Sequence, residues 1–280
     1  MKISDLQLRQ EINNWEFRRC DRLKAEEQFE NFTGLIHGVE LHIPFTCWTY
    51  AFDMVKEAKK YKGKKILISG GDSMNFDTVS FFYKRGGAKR TPQEEITDLV
   101  KFLKYAQTVY DKIIFIETNH EKRMQKIVER MFPDRTQALE VTKMMKTLKD
   151  VFESEGLTKI VNVDDFLFQI GDIIFSHFEN NSAVPGTVCR NLIQYLMPRI
   201  QKEWNITAQF HTHAQAIIPI DRKVAIENGC IAQTMDYWRS GKMLGKGKMI
   251  SIGYGSYEMK QGKALLNKCR PIICGWEGWL

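Results

Sequence analysis

Between residues 33 and 132, short apolar runs alternate with longer stretches whose apolar residues recur at helical spacing. GLIHGVEL (34–41), KKILISGG (64–71) and DKIIFIET (111–118) read as strands. CWTYAFDMVKEAKKY (47–61), TPQEEITDLVKFLKYAQTVY (91–110) and HEKRMQKIVERMF (120–132) read as helices. Pro92 suits the first turn of the second helix, and Pro133 stops the third. The rhythm then changes. VDDFLFQIGDIIFSH (163–177) predicts two strands around a Gly171-Asp172 turn, and TVCRNLIQYLMPRIQKEW (187–204) predicts a helix. After that come mostly short strands: ITAQF, AIIPI, KVAIE, MISIGY and KALL. Strand-helix units followed by hairpins predict one α/β domain of two packed, mixed β-sheets flanked by helices, spanning residues 32–280. Residues 1–31, polar with apolar residues at helical spacing, predict an N-terminal helical extension packed outside it.

The 280 residues are 43% hydrophobic, 11% aromatic and 27% charged, enough apolar surface for a sizeable core. A balance of 41 Lys plus Arg against 34 Asp plus Glu, formally +7, favours anionic partners without selecting one. The six cysteines (Cys20, Cys47, Cys189, Cys230, Cys269, Cys274) form no CxxC pair and read as reduced thiols. The N-terminal stretch lacks the apolar core of a signal peptide, and no window approaches the roughly 20 apolar residues of a membrane span. A soluble, cytoplasmic protein without a membrane partner is expected.

The six histidines change the picture. They fall in IHGVELH (His37, His42), ETNHEKR (His120), FSHFEN (His177) and FHTHAQ (His211, His213). A strand-like run precedes each of these places, and a fifth, ILISGG, ends at Asp72. Sites in open α/β sheets assemble at the carboxyl ends of strands. Any one histidine alone is most simply a core or cap residue. A whole set at strand ends is better explained as ligands. Imidazole, carboxamide and carboxylate donors without thiolates suit Mn²⁺, Fe or Zn²⁺. Seven candidate ligands are too many for one ion; two ions roughly 3.5–4 Å apart that share a carboxylate use them all, and such pairs clamp phosphoryl oxygens.

Five blocks, Glu40-Leu-His42, Gly71-Asp72, Thr118-Asn119-His120-Glu121, His177 and Phe210-His211-Thr-His213, resemble in order and spacing those of the calcineurin-like metallophosphoesterases. The resemblance covers roughly residues 33–255 and implies a four-layer sandwich of helices and sheets. It implies a first ion held by Glu40, His42 and His213. Asp72 would bridge to a second ion held by Asn119, His177 and His211. Mn²⁺ is expected first, with Fe, Zn²⁺ and Ni²⁺ as alternatives. His120 would be no ligand but the catalytic residue, at the start of a helix, protonating the leaving oxygen or stabilising the developing charge during attack by a metal-bridging hydroxide. The family's pattern has Asp at Glu40, and Gly at both Thr118 and Phe210.

The substrate is less legible. KRGGAKR (84–90) and RSGKMLGKGK (239–248) are cationic and glycine-loosened, and Lys84, Arg85, Lys89 and Arg90 are candidate substrate contacts. Phe76, Phe81, Phe82 and Tyr83 are candidates for base stacking, or equally for core. These features point to a phosphodiester of DNA, RNA or a nucleotide; a phosphomonoesterase, a protein phosphatase and a non-catalytic scaffold are the rivals. A helical cap within 121–158 would set the choice. Gly171-Asp172 imitates the second block but reads as a hairpin turn, and His37 reads as structural. The extra methylene of Glu40 predicts that the first ion is held more weakly than the second. Metal titration of Glu40→Asp should therefore show equal or tighter binding, and Glu40→Ala should empty the first position.

Overall fold

The computed structural model describes residues 19, 21–79, 90–132, 134–180, 182, 184–233 and 251–275. Lys84, Arg85 and Lys89, the aromatic run 81–83, Cys20 and the basic run 239–248 lie outside them. The described part of the extension is a helix, α1 (21–27). It is tied to the domain more closely than expected: Glu26 is buried and accepts the Gln169 backbone N–H, Arg22 pairs with Asp165, and Phe29 packs on Phe168.

The chain then runs β1 (Gly34–Val39), α2 (Trp48–Lys60), β2 (Lys64–Ser69), α3 (Pro92–Ala106), β3 (Lys112–Ile116), α4 (Arg123–Met131), α5 (Arg135–Met144), α6 (Leu148–Ser154) and β4 (Ile160–Val163). β5 (Leu167–Ile170), β6 (Ile173–Ser176), α7 (Thr187–Leu196), β7 (Ile206–Gln209), β8 (Gln215–Ile220) and β9 (Lys223–Asn228) follow, with β10 (Gly253–Lys260), β11 (Lys263–Ala264) and β12 (Arg270–Ile273) last. The expected pair of mixed sheets is present. In the first, β1 to β4 are parallel and β10 runs antiparallel beside β1, bringing β11 and β12 with it. In the second, β6, β7 and β9 are parallel, and β5 and β8 are antiparallel edges. Gly171 and Asp172 form the β5–β6 turn, as expected.

Alternation along each strand divides the core into layers. Ile36, Ile66, Ile68 and Ile114 face Phe168, Phe175 and Ile206 between the sheets. Leu67, Ile113 and Phe115, one residue out of phase, pack outward against α2, α3 and α6 through Met54, Leu99, Leu103 and Phe152. Leu167 and Ile174 pack outward against Leu192 and Leu196 of α7. The order is helices, sheet, sheet, helix. Local chemistry sets the helix ends. Thr91 and Glu94 form a capping box on α3 with Pro92 in the first turn, and Thr147 and Asp150 form another on α6.

Three expectations shift. The helix expected over 187–204 stops at Leu196, because Pro198 cannot donate to a continuing ladder. Of the strand expected over MISIGY (249–254), residues 249 and 250 lie outside the described residues, and the strand runs from Gly253 to Lys260, with glycines set against Ile272 and Tyr257. The helix after β3 begins at Arg123, with residues 119–122 in a turn. Among the described residues no helix is long and apolar enough to cross a membrane.

His37 is structural, as expected. It lies inside β1, with Nδ1 2.9 Å from the Tyr110 hydroxyl and its ring 5.0 Å from that of Tyr254. Burial pushes its pKa down to about 3. The folded protein therefore binds fewer protons than the unfolded chain between the ordinary value of 6.5 and about 3, so stability is full above this window and is lost as pH falls through it. Urea titrations should show His37→Gln losing less stability than wild type from pH 7 to pH 5, by about 2 kcal/mol.

Candidate metal centre

Parallel pairing brings the carboxyl ends of β1, β2 and β3 to one edge of the first sheet, and those of β6 and β7 to the matching edge of the second. Each of the five blocks begins where one of these strands stops. Glu40 and His42 follow β1, Asp72 follows β2, Asn119 and His120 follow β3, His177 follows β6, and His211 and His213 follow β7. Glu40, His42, Asp72 and His213 each offer an atom within 4.8 Å of the others'. So do Asp72, His177 and His211. Asp72 is common to both groups.

Asp72 has a different neighbour for each oxygen. The Thr118 hydroxyl lies 2.7 Å from Oδ1. Oδ2 lies 3.5 Å from His177 Nε2, 3.7 Å from His120 Nε2, and 3.9 Å from both His42 Nε2 and His211 Nδ1. Around that oxygen, ring nitrogens face one another: His42 Nε2 and His213 Nε2 at 2.9 Å, and His177 Nε2 and His211 Nδ1 at 3.1 Å. The Gly70 carbonyl, 2.8 Å from His177 Nδ1, accepts a hydrogen bond there, so Nε2 is the nitrogen that a metal ion would take. The Asn119 Oδ1 is buried without a hydrogen-bond partner among the described residues.

The loop carrying Asp72 is held from three sides. His42 N–H donates to the Asp72 carbonyl, Ser73 N–H donates to Glu121, and the N–H groups of Asn75 and Phe76 both donate to the buried Glu95 of α3. His42, Asp72, His211 and His213 all adopt positive φ, between 46° and 67°, which non-glycine residues reach only under strain. Glu40 answers the question its length raises. Its Oε1 accepts the His211 backbone N–H at 3.0 Å and lies 3.2 Å from His177 Nδ1, so the longer acid, a member of the first group, touches two members of the second.

The two departures from glycine are absorbed by other glycines. A Cβ on Gly70 would meet the Phe210 ring at 2.4 Å, and one on Gly71 would meet Thr118 Cγ2 at 2.2 Å. Phe210 thereby joins the core between the sheets, and Thr118 gains its place beside Asp72.

Charge is crowded here. Burial opposes the charged form of Asp72, but His120 and His177 hold its carboxyl well below the usual range. Burial also opposes charge on His177, and Asp72, Glu40 and Glu121 outweigh it, raising the ring to about 10. Burial pushes His42 down to about 4 against the pull of Asp72. Burial and the nearby Asp72 raise Glu121. Buried carboxylates around lone-pair nitrogens are a donor set that fits divalent cations.

His120 lies beside the groups and belongs to neither. Arg123 Nη2 lies 2.7 Å from its Nε2; a guanidinium only donates, so Nε2 accepts and Nδ1 donates to the Met74 carbonyl at 3.3 Å. Burial first, then Arg123, hold the ring well below its ordinary pKa, although Asp72 opposes them. Arg90, the one described member of the cationic candidates, is exposed on α3's capping turn and pairs with Asp98. Sequence reading passed over Arg123, Glu95 and the hydroxyl of Thr118. Arg123 alone had a visible signal, one helical turn after His120.

No protein-family model and no curated protein matches the chain. Solved structures do. An archaeal phosphodiesterase is similar at 13% identity over 85% of this chain and 99% of its own, with a TM-score of 0.40. Wild-type Vps29 from Entamoeba histolytica complexed with Zn²⁺ is similar at 10% identity over 85% and 98%, with a TM-score of 0.40. A predicted phosphoesterase from Streptococcus pneumoniae is similar at 10% identity over 82% and 84%, with a TM-score of 0.35. Likenesses at this level carry no activity, substrate or partner from those proteins to this one.

Thr118→Val removes the hydroxyl beside Asp72 Oδ1 and keeps the shape packed against Gly71. Calorimetric titration with Mn²⁺ should show about tenfold weaker binding, with a stability change of about 1 kcal/mol.

Proposed function

We propose that this protein is a phosphoesterase with two divalent metal ions. One observation carries the reading: Asp72 is shared by two largely buried groups of imidazole and carboxylate donors at the carboxyl ends of four strands. Glu40, His42 and His213 hold one ion, Asn119, His177 and His211 hold the other, and Asp72 serves both. Mn²⁺ suits the set, as do Fe, Zn²⁺ and Ni²⁺. Such a pair of ions supplies Lewis acidity to phosphoryl oxygens and acidity to water. His120 acts on the leaving oxygen; its nearness to Asp72 Oδ2 and its absence from both donor groups support that role.

The substrate proposed is a phosphodiester of nucleic acid or a nucleotide. The formal charge of +7 supports it. Within 121–158, α4 and α5 form the cap that selects it, while α6 packs on the first sheet through Phe152. Among the described residues of α4 none is buried, consistent with a helix laid over a site rather than within a core.

Turnover on a panel tests this. With Mn²⁺, bis-p-nitrophenyl phosphate and single- or double-stranded DNA should be cleaved. Asp72→Ala and His177→Ala should abolish hydrolysis, and His120→Ala should lower turnover by about 10²–10⁴ with metal content unchanged. Cleavage of p-nitrophenyl phosphate alone would replace the diesterase reading with a phosphatase. Metal binding without turnover on any substrate would leave a scaffold. Full activity in metal-stripped protein would overturn the whole reading.

A further inference from the structure

A cavity of about 240 Å³ adjoins the candidate centre and shares Thr118 and Asn119 with it. The fold builds its walls from four places: the end of β3, the start of α4, the β4–β5 connection and the chain just past His177. Most of this wall is already fixed. Lys122 Nζ lies 2.6 Å from Asp164 Oδ1, Arg22 Nη1 donates to Asp165 at 2.6 Å, and Asn162 donates to Glu117 at 2.5 Å. Phe166 is half-buried. Its backbone N–H donates to Asp165, and its ring stands 6.1 Å from that of Phe178 and 6.3 Å from that of Tyr195. Glu179 differs from the other acids: it is exposed, two residues past His177, and among the described residues its carboxylate has no partner.

Charge and size together limit what this lining accepts. Its four carboxylates, on Glu117, Asp164, Asp165 and Glu179, outnumber the ammonium groups of Lys122 and Lys126. A group that carries a further phosphate meets net negative charge there and is repelled. A neutral group with hydroxyls is favoured, because a carboxylate accepts from hydroxyls and Phe166 offers an aromatic face on which a base can stack. The volume lies below the roughly 300 Å³ at which ordinary ligand pockets begin, which suits one nucleoside and not a run of them. Asn119, at the inner wall, sets the phosphoryl end of such a group toward the donor sets around Asp72.

We propose that this cavity is a terminal-nucleoside subsite: it takes the single nucleoside esterified to the scissile phosphoryl group, with the base on Phe166 and a ribose hydroxyl on Glu179. The assignment rests on the phosphoesterase reading above and narrows it. A nucleotide, or the last residue of a strand, is accommodated. A nucleoside with another phosphate on its far side is not.

Adenosine 5′-monophosphate and methyl phosphate are the probes, because they share a phosphate for the ions and differ in the group beyond it. Calorimetry measures both affinities in Mn²⁺-loaded wild type, Phe166→Leu and Glu179→Gln, with bis-p-nitrophenyl phosphate turnover followed in parallel. Wild type should bind the nucleotide about 10- to 100-fold more tightly than methyl phosphate. Each substitution should weaken the nucleotide by about 3- to 10-fold. Methyl phosphate stops short of both side chains and should stay within about twofold. Adenosine 3′,5′-bisphosphate should bind wild type about tenfold more weakly than the monophosphate. Equal affinity of wild type for the nucleotide and methyl phosphate would overturn the assignment, and so would a bisphosphate that binds as tightly as the monophosphate. Parallel loss of both probes in the two variants would also overturn it, because Phe166 and Glu179 would then be props for the metal centre. In each of these cases an active wild type keeps the phosphoesterase reading. A metal-loaded wild type that binds neither probe and turns nothing over would remove that reading and the subsite together.

Discussion

The candidate centre depends on how one carboxylate is divided. The Thr118 hydroxyl lies 2.7 Å from both Asp72 Oδ1 and Glu121 Oε2, and four imidazole nitrogens from four strand ends surround Asp72 Oδ2. A freely rotating carboxylate would offer either oxygen to either group. Fixing Oδ1 presents the same atom to both. The rest of the edge is arranged around this constraint. Glu121 and Glu95 hold the loop's N–H groups, His42 grips its carbonyl, and strained backbone at four candidate ligands turns their side chains inward. Strain of order 1–3 kcal/mol per residue persists only where surrounding contacts impose it, and the packed sheets beneath supply those contacts.

Two bulky residues show how the site is packed. Phe210 and Thr118 fill the space that Gly70 and Gly71 leave beside them, in keeping with the density of protein interiors. Phe210 contributes apolar burial directly beneath His211. Thr118 contributes a donor that glycine lacks. Glu40 follows the same logic: its extra methylene lets one oxygen meet the His211 backbone and the His177 ring.

Much of this was legible in the sequence. The period-two and helical patterns located β1, β2, β3 and α2 nearly to the residue, because those segments are buried on predictable faces. Spacing of the five blocks located the donors, because each block is a strand end and parallel pairing aligns strand ends. What was missed depends on contacts distant in sequence. Glu95 looks like an ordinary acid near a helix start until the fold brings it to the 75–76 backbone. Thr118 looks like a lost glycine until its hydroxyl meets Asp72. The strand read from MISIGY runs on to Lys260, because Gly253 and Gly255 make room for Ile272 and Tyr257. The cationic runs that suggested nucleic acid lie mostly outside the described residues, so the diester reading rests on charge while the metal centre rests on geometry.

Anomalous scattering from Mn²⁺-soaked crystals tests the central claim most directly, because it counts the ions and locates them without relying on activity. The expected map has two peaks on either side of Asp72 Oδ2, one bounded by Glu40, His42 and His213 and the other by Asn119, His177 and His211. A map with no peak at this edge, or with one peak that Asp72 does not touch, would contradict it.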